Sequence, residues 1–215
     1  MPPVTARETL YDCPGARIAG QAALVTLEAL EVGADQVDLV DLYSCFPVAV
    51  QVYAAALGLP LQRELTVTGG MPFAGGPYNN YVLQATCRAA ELMRAGRGRT
   101  ALVSSVSGVL TKQGFGAWAM TPGRGFVQAD VSAEVARQAP ALDVLAGYTG
   151  PARIAGFTVL HGREQAPKGV AIVTTPGGQR TVATTAQAPL LARMQEHEFV
   201  GHDVLVRDHE FTVAT

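Results

Sequence analysis

The stretch Thr66–Tyr81, TVTGGMPFAGGPYNNY, limits the possible folds of this 215-residue chain more than any other segment. Two glycine pairs, Gly69-Gly70 and Gly75-Gly76, flank a short apolar bridge, and Pro77, Asn79 and Asn80 follow. Glycines at this density let the backbone take positive φ or pass close to another group. The pattern rules out a continuous helix or strand here. It predicts a loop that either lines a ligand site or makes a tight packing contact, and the residues alone leave both open. Asn79 and Asn80 are good N-cap residues for a helix predicted over Val82–Ala95, whose first turn offers free N–H groups and a positive dipole end.

The rest of the chain falls into place around this loop. Residues 1–13 read as an irregular arm. Ala16–Leu30 has near-helical apolar spacing and is closed by Gly33-Ala34-Asp35. Val37–Leu42 (VDLVDL) predicts a short, half-buried strand, and Pro47–Leu57 has the apolar density of a buried helix ending at Gly58 and Pro60. After the Gly-rich loop and its helix, Thr100–Val106 predicts an apolar strand and Gly108–Ala119 a further strand or hairpin. This order predicts an α/β layer with a parallel core and an antiparallel finish, short of strands for its helices. Composition shifts near Thr121: a Pro/Gly linker leads to a short helix over Val131–Gln138. From Gly150, strands are predicted over Ala152–Leu160, Gly169–Thr175, Gln179–Thr185, Asp203–Arg207 and Glu210–Ala214, with a helix over Pro189–Glu196. That pattern predicts a small β-barrel of the OB type.

Composition removes several classes of function. Charged residues are 16% of the chain and the net charge is −2, so no global field favours nucleic acid or anionic membrane. From Gly150 onward the tail has balanced charges and only Phe157, Phe199 and Phe211 as aromatics, a poor match to the basic groove and stacking rings of a nucleic-acid-binding OB fold. Cys13, Cys45 and Cys87 form no CxxC and no even framework, which predicts a reducing cytoplasm. No apolar run reaches the roughly 18 residues of a membrane span. His197, His202 and His209 lie among acidic residues, but their spacing matches no metal-binding pattern, and surface polar residues are expected.

Three stretches in order, DLYSCFP (Asp41–Pro47), TGGMPFAGGPYNNY (Thr68–Tyr81) and SSVSGVLTKQGFG (Ser104–Gly116), together resemble the C-terminal half of thiolases. With the β-rich tail behind them, the chain is similar to thiolase-like acetyl-CoA acetyltransferases that carry an extra OB-like domain. The resemblance covers nearly the whole chain. It implies an α/β thiolase-like C-terminal half, an incomplete layered sheet with helices, over 1–121. A linker with a short helix over 122–149 and an OB-like β domain over 150–215 would follow. It also implies that the nucleophilic cysteine belongs to a first half not contained in these residues.

The resemblance assigns a catalytic Asn or His to the position of Tyr43, a Gly-His-Pro loop to Gly75-Gly76-Pro77, and an acid/base cysteine to Ser105. Each position departs from the catalytic residue type. All four histidines, His161, His197, His202 and His209, lie in the tail. Thiolysis needs a base with a pKa near the working pH, and residues 1–150 contain no imidazole. The candidates that remain are Tyr43, Cys45 and Ser105 for chemistry. Ser44, Phe73, Gly75, Gly76, Asn79, Asn80 and Ser107 are the candidates for contacts with an acyl-CoA. Cys45 is expected to be a buried, inert thiol. Lys112, one of two lysines, is expected to be a solvated hairpin residue.

Two functions from different classes follow. One is a thiolase-superfamily acyltransferase component acting on acyl-CoA and inactive alone; the other is a non-catalytic acyl-CoA-binding or scaffold subunit. Either implies a coenzyme A thioester as substrate or ligand and no other cofactor. Either also implies a protein partner carrying the nucleophile half, or a homo-oligomer, because the helix over Pro47–Leu57 has almost no polar face.

Overall fold

The computed structural model describes residues 14–28, 31–107, 110, 112–122, 125–138 and 141–213. The expected N-terminal arm with Cys13, the last residue of the first predicted helix (Leu30), Gly108 and the terminal Ala214 lie outside them. The described residues form two compact units, one within Arg7–Pro140 and the other within Ala141–Thr215.

The first unit is layered. Its three-stranded sheet has the order β1 (Leu39–Asp41), β2 (Thr100–Ser107), β3 (Lys112–Ala119). The β1–β2 pair is parallel, with Asp41 opposite Val103, and β2–β3 is antiparallel, the expected parallel core and antiparallel finish. Residues alternate faces along a strand, so neighbours on β2 serve different cores. Leu102 joins Val40, Leu42, Ala23, Leu27, Tyr53 and Ala54 on the face covered by α1 (Pro14–Glu28) and α2 (Pro47–Ala56). Ala101 and Val103 meet Tyr81, Ala85, Ala89 and Met93 on the other face, covered by α4 (Tyr81–Arg94). Helix α2 starts with Pro47 at its first position, where a missing N–H costs nothing, and buries Ala49, Val52, Tyr53 and Ala54. Helix α4 ends at Gly96, whose φ of 73° allows Arg97 N–H to reach the Leu92 carbonyl at 2.9 Å. The one-turn α3 (Met71–Ala74) occupies the apolar bridge between the glycine pairs.

Two local expectations are corrected. Asn80 is the residue before α4, but its side chain makes no capping bond; its own backbone is near-helical (φ −96°, ψ −9°), which turns the side chain away from the first N–H groups. The acidic residues of VDLVDL also differ. Asp38 is exposed, whereas Asp41 has no exposed surface.

Asp38 joins the entry points of β1 and β2. Its Oδ2 accepts from Arg99 N–H at 2.7 Å, Thr100 N–H at 3.1 Å and Thr100 Oγ1 at 3.2 Å. The Arg99 N–H is the main reason its carboxyl sits below the ordinary 3.8, opposed by slight desolvation. A depressed folded value stabilises the fold above the ordinary value, and that contribution is lost as pH falls through the lowered one. Asp38→Ala is therefore expected to cost about 1 kcal/mol in urea denaturation at neutral pH, kept small by solvent screening. The difference from wild type should shrink on acidification.

After the sheet, α5 (Ser132–Gln138) packs against α1. The second unit is a closed barrel of β4 (Gly150–Leu160), β5 (Lys168–Thr174), β6 (Arg180–Thr185), β7 (Asp203–Arg207) and β8 (Glu210–Val213), in the order β4-β5-β6-β8-β7. Helix α6 (Ala188–Glu196) lies between the third and fourth strands, as in the predicted OB-type barrel. Residues pointing inward (Ile154, Ala171, Val173, Ala183, Val204, Val206 and Phe211) fill the barrel with Phe199, and Leu190 and Met194 of α6 join that core.

Candidate functional site

In a parallel β1–β2 pair the carboxyl ends of both strands lie at the same edge of the sheet. Tyr43–Cys45 leave β1 there, and Ser105–Ser107 end β2 there. Tyr43 N–H donates to Ser104 Oγ at 2.8 Å, and Tyr53 of α2 donates its hydroxyl to the Ser105 carbonyl at 3.1 Å. The Gly-rich loop is drawn to the same edge by Ser44, whose Oγ accepts from Met71 N–H at 2.9 Å. This contact explains a glycine. Gly70 has φ +80°, and a Cβ there would sit 3.1 Å from Ser44 Oγ. A side chain at this position would meet both a disfavoured backbone and an occupied space.

Beneath these contacts lies a polar cluster that the sequence reading did not identify. Asp41 Oδ2 accepts from Thr68 N–H at 3.1 Å and Thr68 Oγ1 at 2.9 Å, and Asp41 Oδ1 accepts from the Tyr81 hydroxyl at 3.0 Å. Thr68 Oγ1 and the Tyr81 hydroxyl are 2.8 Å apart, and Ser44 Oγ is 3.3 Å from that hydroxyl. Gly70 N–H donates to Thr68 Oγ1 at 3.2 Å. One carboxylate thus gathers the end of β1, the entry to the Gly-rich loop and the first residue of α4. Burial pushes its pKa up, against the pull of the Thr68 and Tyr81 hydrogen bonds. Tyr43 stands edge-on to Tyr81, ring centroids 5.4 Å apart, and desolvation raises both phenols above 10. The available signals were Thr68 and Tyr81 at the two ends of the Gly-rich stretch and an acidic residue at the end of β1.

The other candidates are spread around this edge. Ser105 Oγ donates to the Gly114 carbonyl at 3.2 Å across the hairpin, and Ser107 is exposed opposite Lys112. Gly76 rests on Met71, its virtual Cβ 3.5 Å from Sδ, while Phe73, Gly75, Asn79 and Asn80 are exposed. Phe73 and Tyr78 present 87% and 96% of their surface to solvent, and Phe46 68%, an unusual display of aromatic surface around one loop. Cys45 is exposed, contrary to the buried thiol expected. It sits one residue past the hydrogen-bonded Ser44, where the chain has left the sheet. The N–H groups of Tyr43, Gly70 and Met71 and the Ser105 hydroxyl at this edge already have acceptors within the protein, the phenols are weak acids, and the Ser107 hydroxyl is exposed. Among the described residues no group of three or more His, Cys, Asp or Glu could hold a metal ion. No described helix is long and apolar enough to cross a membrane.

The fold is thus an α/β layer with this polar edge, and a separate closed five-stranded β-barrel. Residues 127–210 match the family described as the thiolase-like protein type 1 additional C-terminal domain. The chain also superposes on the crystal structure of a monomeric SCP2-thiolase-like protein type 1 from Mycobacterium smegmatis, with a TM-score of 0.81 and 27% sequence identity. That similarity covers 91% of this chain and 45% of the solved one, so the chain spans less than half of its relative's length. No curated protein matches the sequence. Together the two matches support the reading of the chain as a thiolase-like protein with an extra C-terminal domain.

Proposed function

We propose that this chain handles acyl-CoA as the second half of a thiolase-superfamily acyltransferase, and that it is inert without a partner carrying the nucleophile half. The observation that carries the reading is the convergence of Tyr43–Ser44, Gly70–Met71 and Ser104–Ser105 at one sheet edge with no imidazole among residues 1–150. The exposed Ser107 hydroxyl beside these segments offers a donor to a thioester, and a base of neutral pKa must come from elsewhere. The exposed Phe46, Phe73 and Tyr78 give a partner apolar surface to cover. The substrate is a coenzyme A thioester, with no further cofactor, and the compartment is the cytoplasm.

A second reading, a non-catalytic acyl-CoA-binding or scaffold subunit, is favoured by Ser105. Its hydroxyl donates to the Gly114 carbonyl and so is not free to donate to a substrate. Both readings require binding at this edge. Gly76 has an ordinary φ, and its virtual Cβ is in ordinary contact with Met71. Gly76→Val should therefore fold normally and obstruct the loop. In calorimetric titration with acetoacetyl-CoA the variant is expected to bind at least about tenfold more weakly, about 1.4 kcal/mol. Wild-type affinity in the folded variant would place the site elsewhere. Restoration of thiolysis by an added nucleophile half would separate the acyltransferase from the scaffold.

A further inference from the structure

Among the described residues, Asp41 is the one acidic side chain with no exposed surface, and neither function above uses it. We infer that Asp41 holds the Gly-rich loop as a neutral acid, a positioning residue for the acyl-CoA edge that does not itself touch the thioester. Its role in ligand binding rests on the acyl-CoA reading; its protonation state does not.

Asp41, Thr68 Oγ1 and the Tyr81 hydroxyl form a triangle with sides of 2.9, 3.0 and 2.8 Å. Each side is a hydrogen-bond distance between oxygens, so each needs its own proton. The two hydroxyls supply two. The N–H groups of Thr68 and Val67 on Asp41 and of Gly70 on Thr68 fill other lone pairs, and the Ser44 hydroxyl, 3.3 Å from Tyr81, lies outside the triangle. The third proton can come only from Asp41. Protonation of Asp41 reverses the Tyr81–Asp41 bond described above for the carboxylate: in the neutral ring Asp41 Oδ1–H donates to Tyr81, Tyr81 donates to Thr68, and Thr68 donates to Asp41 Oδ2. If Asp41 ionises, both hydroxyls turn toward the carboxylate. The oxygens of Thr68 and Tyr81 are then left 2.8 Å apart with no proton between them, and must separate.

The surroundings favour the neutral form. On β2, Val103 lies opposite Asp41 with Ser104 next to it. The loop over 66–76 contains no ionisable side chain. Helix α4 contributes Tyr81, against which Tyr43 packs; its charged Arg88, Glu91 and Arg94 are exposed, and Arg88 pairs with Glu91 at 3.2 Å. Cys45, the next titratable group after Tyr43, is exposed. No ion pair joins Asp41 to a cation among the described residues. Desolvation therefore dominates and raises its pKa. A raised folded value stabilises the fold fully below the ordinary 3.8, and that contribution is lost as pH rises through the raised value. As Asp41 ionises the ring opens, and Gly70 and Met71, tied to Thr68 and Ser44, lose their fixed position.

The test is a carbon-13 NMR titration of the Asp41 carboxyl in the free chain, with hydrogen exchange at Gly70 and Met71 in wild type and Asp41→Asn. Asp41 is expected to remain an acid at a pH where exposed aspartates are carboxylates. Protection of the two amides, corrected for intrinsic rates, should fall as Asp41 titrates. Asparagine can donate to Tyr81 and accept from Thr68, so Asp41→Asn should keep the protection and lose the pH step. Titration of Asp41 together with exposed aspartates would overturn the inference, as would the same pH step in Asp41→Asn. The wild-type titration decides this even if the variant does not fold. Acetoacetyl-CoA affinity should fall about tenfold across the titration in wild type, the loss of roughly one hydrogen bond, and stay level in Asp41→Asn. A ring that titrates as expected in a chain that binds no acetoacetyl-CoA would remove the acyl-CoA role while leaving the neutral acid established.

Discussion

Tyr81→Ala is expected to unfold the α/β unit or leave it barely stable. The side chain has no exposed surface and fills the α4 face of the sheet with Ala85, Ala89, Ala101 and Val103. Truncating a buried aromatic costs about 3–5 kcal/mol in lost contacts and cavity. The lost hydroxyl also leaves Asp41 Oδ1 without its partner in a site closed to water, about 1–3 kcal/mol more. Domains of this size have roughly 5–15 kcal/mol in all. Tyr81→Phe separates the two contributions: it keeps the ring and is expected to lose only the smaller one. Urea denaturation followed by circular dichroism measures both. A Tyr81→Ala variant within about 1 kcal/mol of wild type, below the usual cost of emptying a core site, would show that the ring is not the keystone described here.

The second large effect lies in the barrel. Phe211 and Phe199 have no exposed surface and pack with Ile154, Val206 and Met194. Phe211 sits opposite Val206 on β8, the strand that closes the barrel against β6 through the parallel pair Thr184–Glu210. Phe211→Ala is expected to cost about 3–5 kcal/mol. It should also loosen this seam first, because a single parallel pairing joins β8 to β6. The readout is hydrogen exchange of Thr184 N–H, which donates to the His209 carbonyl at 2.8 Å. Its protection should fall further than that of Ala171, in the middle of β5. Uniform loss across the barrel would mean that closure does not depend on Phe211.

Much of the fold was legible because periodicity and punctuation agreed locally. The predicted Val82–Ala95 is Tyr81–Arg94, ended by the Gly96 turn, and the predicted Gln179–Thr185 is Arg180–Thr185 behind a Pro-Gly-Gly turn. What escaped was non-local. In VDLVDL the two aspartates look alike, yet Asp38 faces solvent and Asp41 is enclosed, because its partners Thr68 and Tyr81 arrive from 27 and 40 residues away. Cys45 was misjudged for a related reason. Thiol chemistry favours burial, but Cys45 follows the point where Ser44 fastens the chain to the Gly-rich loop and so falls on the outside. The glycines themselves were informative. Gly69, Gly70 and Gly75 do take positive φ, and Gly70 also provides the close approach to Ser44.

Under the function proposed above, this chain presents a thiolase-type acyl-CoA edge without the base needed to use it. Incubating the purified chain with acetoacetyl-CoA and CoA, and following the enolate absorbance of acetoacetyl-CoA, tests that claim most directly. The absorbance is predicted to stay level, because Tyr43, Gly76 and Ser105 offer no general base and Cys45 has no imidazole beside it in residues 1–150. Sustained loss of absorbance by the chain alone, abolished by Cys45→Ala, would contradict it.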